Sequence, residues 1–153
     1  MRKKSKYKPK GVRVDALNWV LSGMKPIAQV GDALVTLNAK NYAALDEIKN
    51  GRSTSDHVDV IIAAVNMAEA FARKGVGSDW IDEIRQAQDA VYTMAKRGLS
   101  KGRFLFTGPE MQAVSLAMEV HAAQLEASSV KDMEDCLKVV EDEIRHKRAR
   151  RIQ

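Results

Sequence analysis

The sequence predicts an all-α fold: a single-domain helical bundle of five or six helices with basic, poorly ordered termini. Three observations point there. Apolar residues recur at i, i+3, i+4, i+7 spacing through most of residues 54–145, the period of a helix with one buried face. Capping residues stand in front of these runs and glycines behind them. Hydrophobic residues make up 45% of the 153 and charged residues 29%, enough apolar surface for a real core.

The elements follow in order. Asp15 is placed to cap a short helix, ALNWVLS, that Gly23 ends. Pro26 bars a helix from running straight through. Residues 27–37, IAQVGDALVTL, read as a short strand pair or as a loop into a helix. A helix then runs from about Asn38 to Lys49, with Tyr42, Leu45 and Ile48 on one side and Asn50-Gly51 as its stop. Ser53 or Thr54 opens the next, to about Arg73, with Val58, Ile61, Val65, Ala68 and Phe71 inward and Gly75 and Gly77 as its stop.

Ser78 caps a helix through Arg97, with Ile81, Ile84, Val91 and Met94 inward and Gly98 as the terminating glycine. Residues 99–106 read as a connector with a brief strand-like end. Thr107-Gly-Pro-Glu110 is a capping box with proline in the first turn. The helix behind it carries Met111, Val114, Met118, His121 and Leu125 at 3–4–3–4 spacing. Ser129 starts the last helix, whose stripe is Val130, Met133, Leu137, Val140 and Ile144, again 3–4–3–4. Leu137 then faces inward and Lys138 outward. Two such helices joined by three or four residues predict a C-terminal antiparallel helical hairpin. A shift of 53 residues aligns Thr54 with Thr107, Ile61 with Val114, Ala64 with Ala117 and Val65 with Met118. Any two capped amphipathic helices align nearly as well.

Charge divides the chain into three parts: a basic tail over 1–13, a helical domain over 14–145 and a basic tail over 146–153. Arg2, Lys3, Lys4, Lys6, Lys8, Lys10 and Arg13 stand near the start with no acid among them. Arg145, Lys147, Arg148, Arg150 and Arg151 stand near the end. The 13 basic and 20 acidic residues between give a middle with net charge −7. Basic ends of this kind serve as solvated tails, as phosphate binders or as docking arms for an acidic surface. Tyr7, among the lysines, is placed to stack on a base.

Motifs for chemistry are largely missing. No GxxxxGK[ST] loop, strand-borne GxGxxG or GxSxG elbow occurs. The single cysteine, Cys136, allows no disulfide within the chain and reads as a structural thiol. Glu143-Ile-Arg-His146 is one Glu-x-x-His, where helical di-iron proteins need two. His57, beside Asp56 and Asp59, reads as part of a solvated cluster. NGRSTSDH superficially suggests a helix-turn-helix, but Asp56 and Asp59 would repel a duplex. No metal, no cofactor and no enzymatic activity are expected. No apolar run reaches the roughly 18 residues that span a bilayer, and the polar, basic start is unlike a secretory signal. The expectation is a cytoplasmic protein without membrane contact.

His121 takes an apolar position in its stripe and needs a partner if buried. It pairs with a backbone carbonyl or an earlier helix, or it faces a wet groove or subunit interface. The second is favoured, because Ala117, Ala122 and Ala123 leave room for another chain. His121 is therefore the interface candidate, with a homo-oligomer as its corollary.

The segments RKKSKYKPKGV, GRSTSDHVDVI, GRFLFTGPEMQAV and EDEIRHKRAR together resemble a family of small proteins encoded by tailed phages and prophages, over nearly the full length. The resemblance implies a bacterial host cytoplasm and a non-catalytic accessory role, and it supplies no active-site residues. The expected function is macromolecule binding, with nucleic acid slightly favoured through the termini. The alternative is a protein-protein inhibitor or modulator of a host defence or nucleic-acid-processing complex.

Overall fold

The structure is a computed structural model, and it describes residues 32–146. It contains helices α1 (Asp32–Lys49), α2 (Ser55–Arg73), α3 (Ile81–Lys101), α4 (Gly108–Ala127) and α5 (Val130–Arg145), with a short 3₁₀ turn at Ser78–Trp80 ahead of α3. None of the described residues forms a strand, so the all-α bundle is as the periodicity required. The helix expected after Asp15, both basic tails except His146, and the expected disorder of the ends lie outside the described residues.

Helix α2 is the hub. Its sequence, SDHVDVIIAAVNMAEAFAR, is apolar on several sides, and its buried residues include Val58, Ile61, Val65, Met67 and Phe71. Every other helix packs against it. Ala64, Ala68 and Ala72, spaced by four, lie on one side of α2 and are buried. Small side chains there let neighbouring backbones approach closely. Ile48 of α1, Val91 and Met94 of α3, and Val114 and Met118 of α4 close the main core around Ile61 and Val65.

The caps behave as the sequence indicated. Thr107 Oγ1 accepts from Glu110 N–H at 3.4 Å, while Glu110 Oε2 accepts from Thr107 N–H at 2.8 Å. Ser129 and Asp132 repeat the arrangement at the start of α5. At α2 the reciprocal partner is a histidine: His57 Nδ1 accepts from Thr54 N–H at 3.0 Å. His57 thus caps a helix, which its reading as one of a solvated cluster did not foresee.

Several expectations need correction. Helix α1 begins at Asp32, so residues 32–37 are helical and not a strand pair; Leu37 packs with the cluster around Phe71 and Cys136, a tertiary contact that overrides β-branched propensity. Ser78 opens a 3₁₀ turn and α3 starts at Ile81.

Gly98 does not end α3. The helix continues to Lys101, and Gly102, at φ 71°, provides the left-handed stop with its N–H on Gly98 O at 2.8 Å. Gly98 is a glycine for a different reason: the Phe104 ring lies where a β-carbon would be. The connector is therefore shorter than 99–106, and its end is irregular.

The last two helices do not form a side-by-side hairpin. A two-residue link joins them, but α5 makes its main contact with α2. Cys136 is the inward residue, 2% exposed, among Met67, Ala70 and Phe71. Leu137 is 44% exposed and Ile144 60% exposed. Val130, Met133 and Val140 of the stripe pack partly buried against the same cluster, and the ion pairs Arg73–Glu143 (2.7 Å), Lys74–Asp132 (3.0 Å) and Lys74–Asp135 (3.0 Å) join this side of α5 to the end of α2. Asp132, Cys136 and Glu143 share one side of the helix, and the end of α2 holds that side.

Candidate interaction surface

Of the expected phosphate-binding residues, Arg2, Lys3, Lys4, Lys6, Tyr7, Lys8, Lys10, Arg13, Lys147, Arg148, Arg150 and Arg151 lie outside the described residues. Arg145 is exposed at the end of α5 and pairs with Asp142 at 3.4 Å. The Glu-x-x-His residues turn away from a shared ligand position: Glu143 binds Arg73, and His146 Nδ1 sits 2.7 Å from Asp142 O. Burial pushes the Cys136 thiol up from its ordinary pKa, which disfavours the thiolate a nucleophile needs.

His121 lies inside the chain, 2% exposed, and not on a wet groove or a subunit interface. Its partner was not foreseen either. Gln124, one turn on along α4, donates both amide hydrogens: to Ala68 O at 3.0 Å and to Val76 O at 2.8 Å. Gln124 Oε1 is left as an acceptor, and His121 Nδ1 lies 3.4 Å from it. The proton therefore sits on His121 Nδ1, which donates to that oxygen. The Phe71 ring lies against the imidazole at 6.0 Å between centroids. Burial lowers the His121 pKa to about 4, so the ring is neutral at pH 7. The signal that could have found this pair was Gln124 itself, an amide on the inward side of α4 next to Leu125.

The same amide anchors the bend after α2. Gly77 sits at φ 73°, and a β-carbon there would meet Gln124 at 3.2 Å. Beyond this anchor the 3₁₀ turn carries Trp80, 44% exposed. Between the turn and α4 runs an apolar groove of about 450 Å³. Val76 and Trp80 form one wall. Leu116, Val120, Ala123 and Ala127 of α4 form the other, and Gln124 lines it too. Glu119 is the one charged residue in the lining. Tyr42 of α1 stands near it: the phenol pKa is raised, first by burial and then by the Glu119 charge.

The sequence reading missed this second face of α4 because it followed the stripe from Met111 to Leu125. Leu116, Val120, Ala123 and Ala127 make a parallel apolar row at i, i+4, i+7, i+11. A helix apolar on two sides gives a weak amphipathic signal and conceals which side is core.

The surface offers an apolar groove and ion-paired carboxylates, the neutral histidine lies beneath it, and among the described residues no three His, Cys, Asp or Glu side chains converge to hold a metal ion. No described helix is long and apolar enough to cross a membrane. Compared with protein families, curated proteins and solved structures, the chain matches none.

Proposed function

We propose that the chain is a non-enzymatic binding protein for a macromolecule, an accessory protein acting in the bacterial cytoplasm that the phage resemblance implies. Nucleic acid is the favoured partner. The observation that carries this reading is the segregation of charge: twelve lysines and arginines crowd the two ends, while the body between them is net acidic. Basic arms on an acidic body hold phosphate at the ends and keep the duplex off the body. The bonds are sequence-independent, through Arg2, Lys3, Lys4, Lys6, Lys8, Lys10 and Arg13 at one end and Arg145, Lys147, Arg148, Arg150 and Arg151 at the other, with Tyr7 stacking on a base.

A salt titration tests it. Log affinity should fall against log salt with a slope of several units. Deleting residues 1–12 should reduce the slope and leave the helical signal unchanged. An absence of binding at low salt removes nucleic acid as the partner.

A second reading has its own support. The apolar groove beside Trp80, with Glu119 in it, suits a protein partner, and the chain then inhibits or modulates a host complex. Capture from host lysate that survives nuclease treatment favours this reading over the first.

A further inference from the structure

We propose that the groove between the Ser78–Trp80 turn and α4 docks a basic amphipathic helix of a protein partner. The proposal rests on the second reading above and names its surface. Leu116, Val120, Ala123 and Ala127 run along three turns of α4, about 16 Å at 1.5 Å per residue. That length matches a partner helix laid alongside, the helix-in-groove mode of recognition. The two alanines allow the close axial approach that helix packing uses. Trp80 gives the opposite wall an aromatic anchor, the residue type that most often dominates an interface. The groove is held in shape before any partner arrives, because Gln124 ties the Val76 carbonyl to α2 through Ala68 O.

Charge selects the partner. Helix α4 contains Glu110, Glu119 and Glu126 and no lysine or arginine. Glu110 is bound by Arg97 at 2.6 Å. Glu119 lines the groove, and Glu126 follows one heptad later on the same side. Asp79 and Asp82, both exposed, flank Trp80 in the sequence. None of these four acids forms an ion pair among the described residues. An apolar floor with Glu119 in its lining and exposed acids close by in the sequence takes a helix with one apolar and one basic face. A second copy of this chain packed groove to groove would set acid against acid, which costs affinity.

The test uses the full chain with Trp19→Phe, which leaves Trp80 as the sole tryptophan. The probes are a synthetic leucine-lysine amphipathic helix of about 18 residues, five turns, and its leucine-glutamate counterpart. The leucine-lysine helix should bind saturably and shift Trp80 emission to the blue, and the counterpart should do neither. Ala123→Lys, at an exposed position, and Glu119→Lys should each weaken binding at least about tenfold with an unchanged circular dichroism spectrum. Binding that leaves Trp80 emission unmoved, or that ignores Ala123→Lys, moves the site to another acidic face; the groove is then lost while a protein partner stands. No binding of the leucine-lysine helix overturns the groove as a helix site. A dimer of the free chain that Ala123→Lys dissociates gives the groove to a second copy and also overturns the proposal.

Discussion

Helices α4 and α5 carry the same announcement in sequence and meet different ends. Each opens with a serine or threonine capping box, and each carries five apolar-stripe positions at 3–4–3–4 spacing. On α4, Val114, Met118, His121 and Leu125 are buried to 2% exposure or less. On α5, Leu137 and Ile144 stand largely in solvent, and Cys136, outside the stripe, is the buried residue. The difference lies in what stands opposite. Helix α4 packs against α1, α2 and α3, so its stripe finds cover, while its second apolar row lines the open groove. Helix α5 has α2 as its main neighbour, and ion pairs tie one of its sides to the end of α2. A stripe tells which side of a helix is apolar; the facing elements decide which edge of that side is buried.

The largest expected effect tests the α4 half of this contrast. Leu125 is fully buried beside Phe71 and Cys136. Leu125→Ala should cost about 2–5 kcal/mol of unfolding free energy, as cavities at buried leucines do, measured by urea denaturation. A cost under about 1 kcal/mol would mean that α4 is no better packed than α5.

The next effect is a pH dependence that His121 on α4 contributes. The His121 pKa in the fold is about 4, against an ordinary value of 6.5. Between those values the unfolded chain binds more protons than the folded one, so stability falls as pH drops from about 6.5 to about 4. The full span is on the order of 3 kcal/mol. His121→Leu should flatten the dependence over that window, at the expense of Gln124 Oε1, which loses its donor. Asp132 on α5 titrates lower. The Ser129 backbone N–H and then the Lys74 ammonium hold its carboxyl at about 2. Stability from that group is present above its unfolded value and is lost as pH falls toward 2, so the two helices separate on the acid limb. Urea midpoints at pH 7 and pH 4.5, for the chain and for His121→Leu, check the first window.

Much of the fold was legible because local signals and tertiary demands agreed. Thr54, Thr107 and Ser129 cap the helices they precede, and the stripes of α2 and α4 are core. What was not legible depended on distant residues. Gly98 looked like a helix stop because glycine usually is one; its actual constraint comes from Phe104, across the turn that Gly102 makes. The groove was hidden because Leu116 and Val120 sit in a helix apolar on two sides. The buried pair of His121 and Gln124 needed α2 and the Val76 bend in place before the amide had carbonyls to bind.

A middle-sized effect sharpens the same point at α3. Gly98→Ala would favour the helix by intrinsic propensity, by up to about 1 kcal/mol. The added methyl meets the Phe104 ring, and overpacking of that kind costs about 1–3 kcal/mol. The substitution should therefore destabilise, by thermal denaturation. A gain in stability would show that Phe104 moves aside freely and that Gly98 is not held by packing.

The smallest effect decides the α5 half. Leu137 is the middle residue of the stripe, and the sequence alone places it in the core, where truncation costs about 2–5 kcal/mol. In the fold it is 44% exposed, while Cys136 beside it is 2% exposed. Leu137→Ala then removes little buried surface, alanine is the better helix former, and the net change should stay within about 1 kcal/mol. Cys136→Ser places a hydroxyl among Met67, Ala70 and Phe71, and should cost more than Leu137→Ala by about 1 kcal/mol or above, since a buried hydroxyl without a partner is penalised. The order of these two variants is the informative result. If Leu137→Ala proves the costlier, α5 is rolled toward its stripe, Leu137 has a covering element, and Arg73–Glu143 and Lys74–Asp132 do not fix the helix. If Cys136→Ser is costlier, the anchors at the end of α2 outrank the stripe in setting which side of α5 is inside.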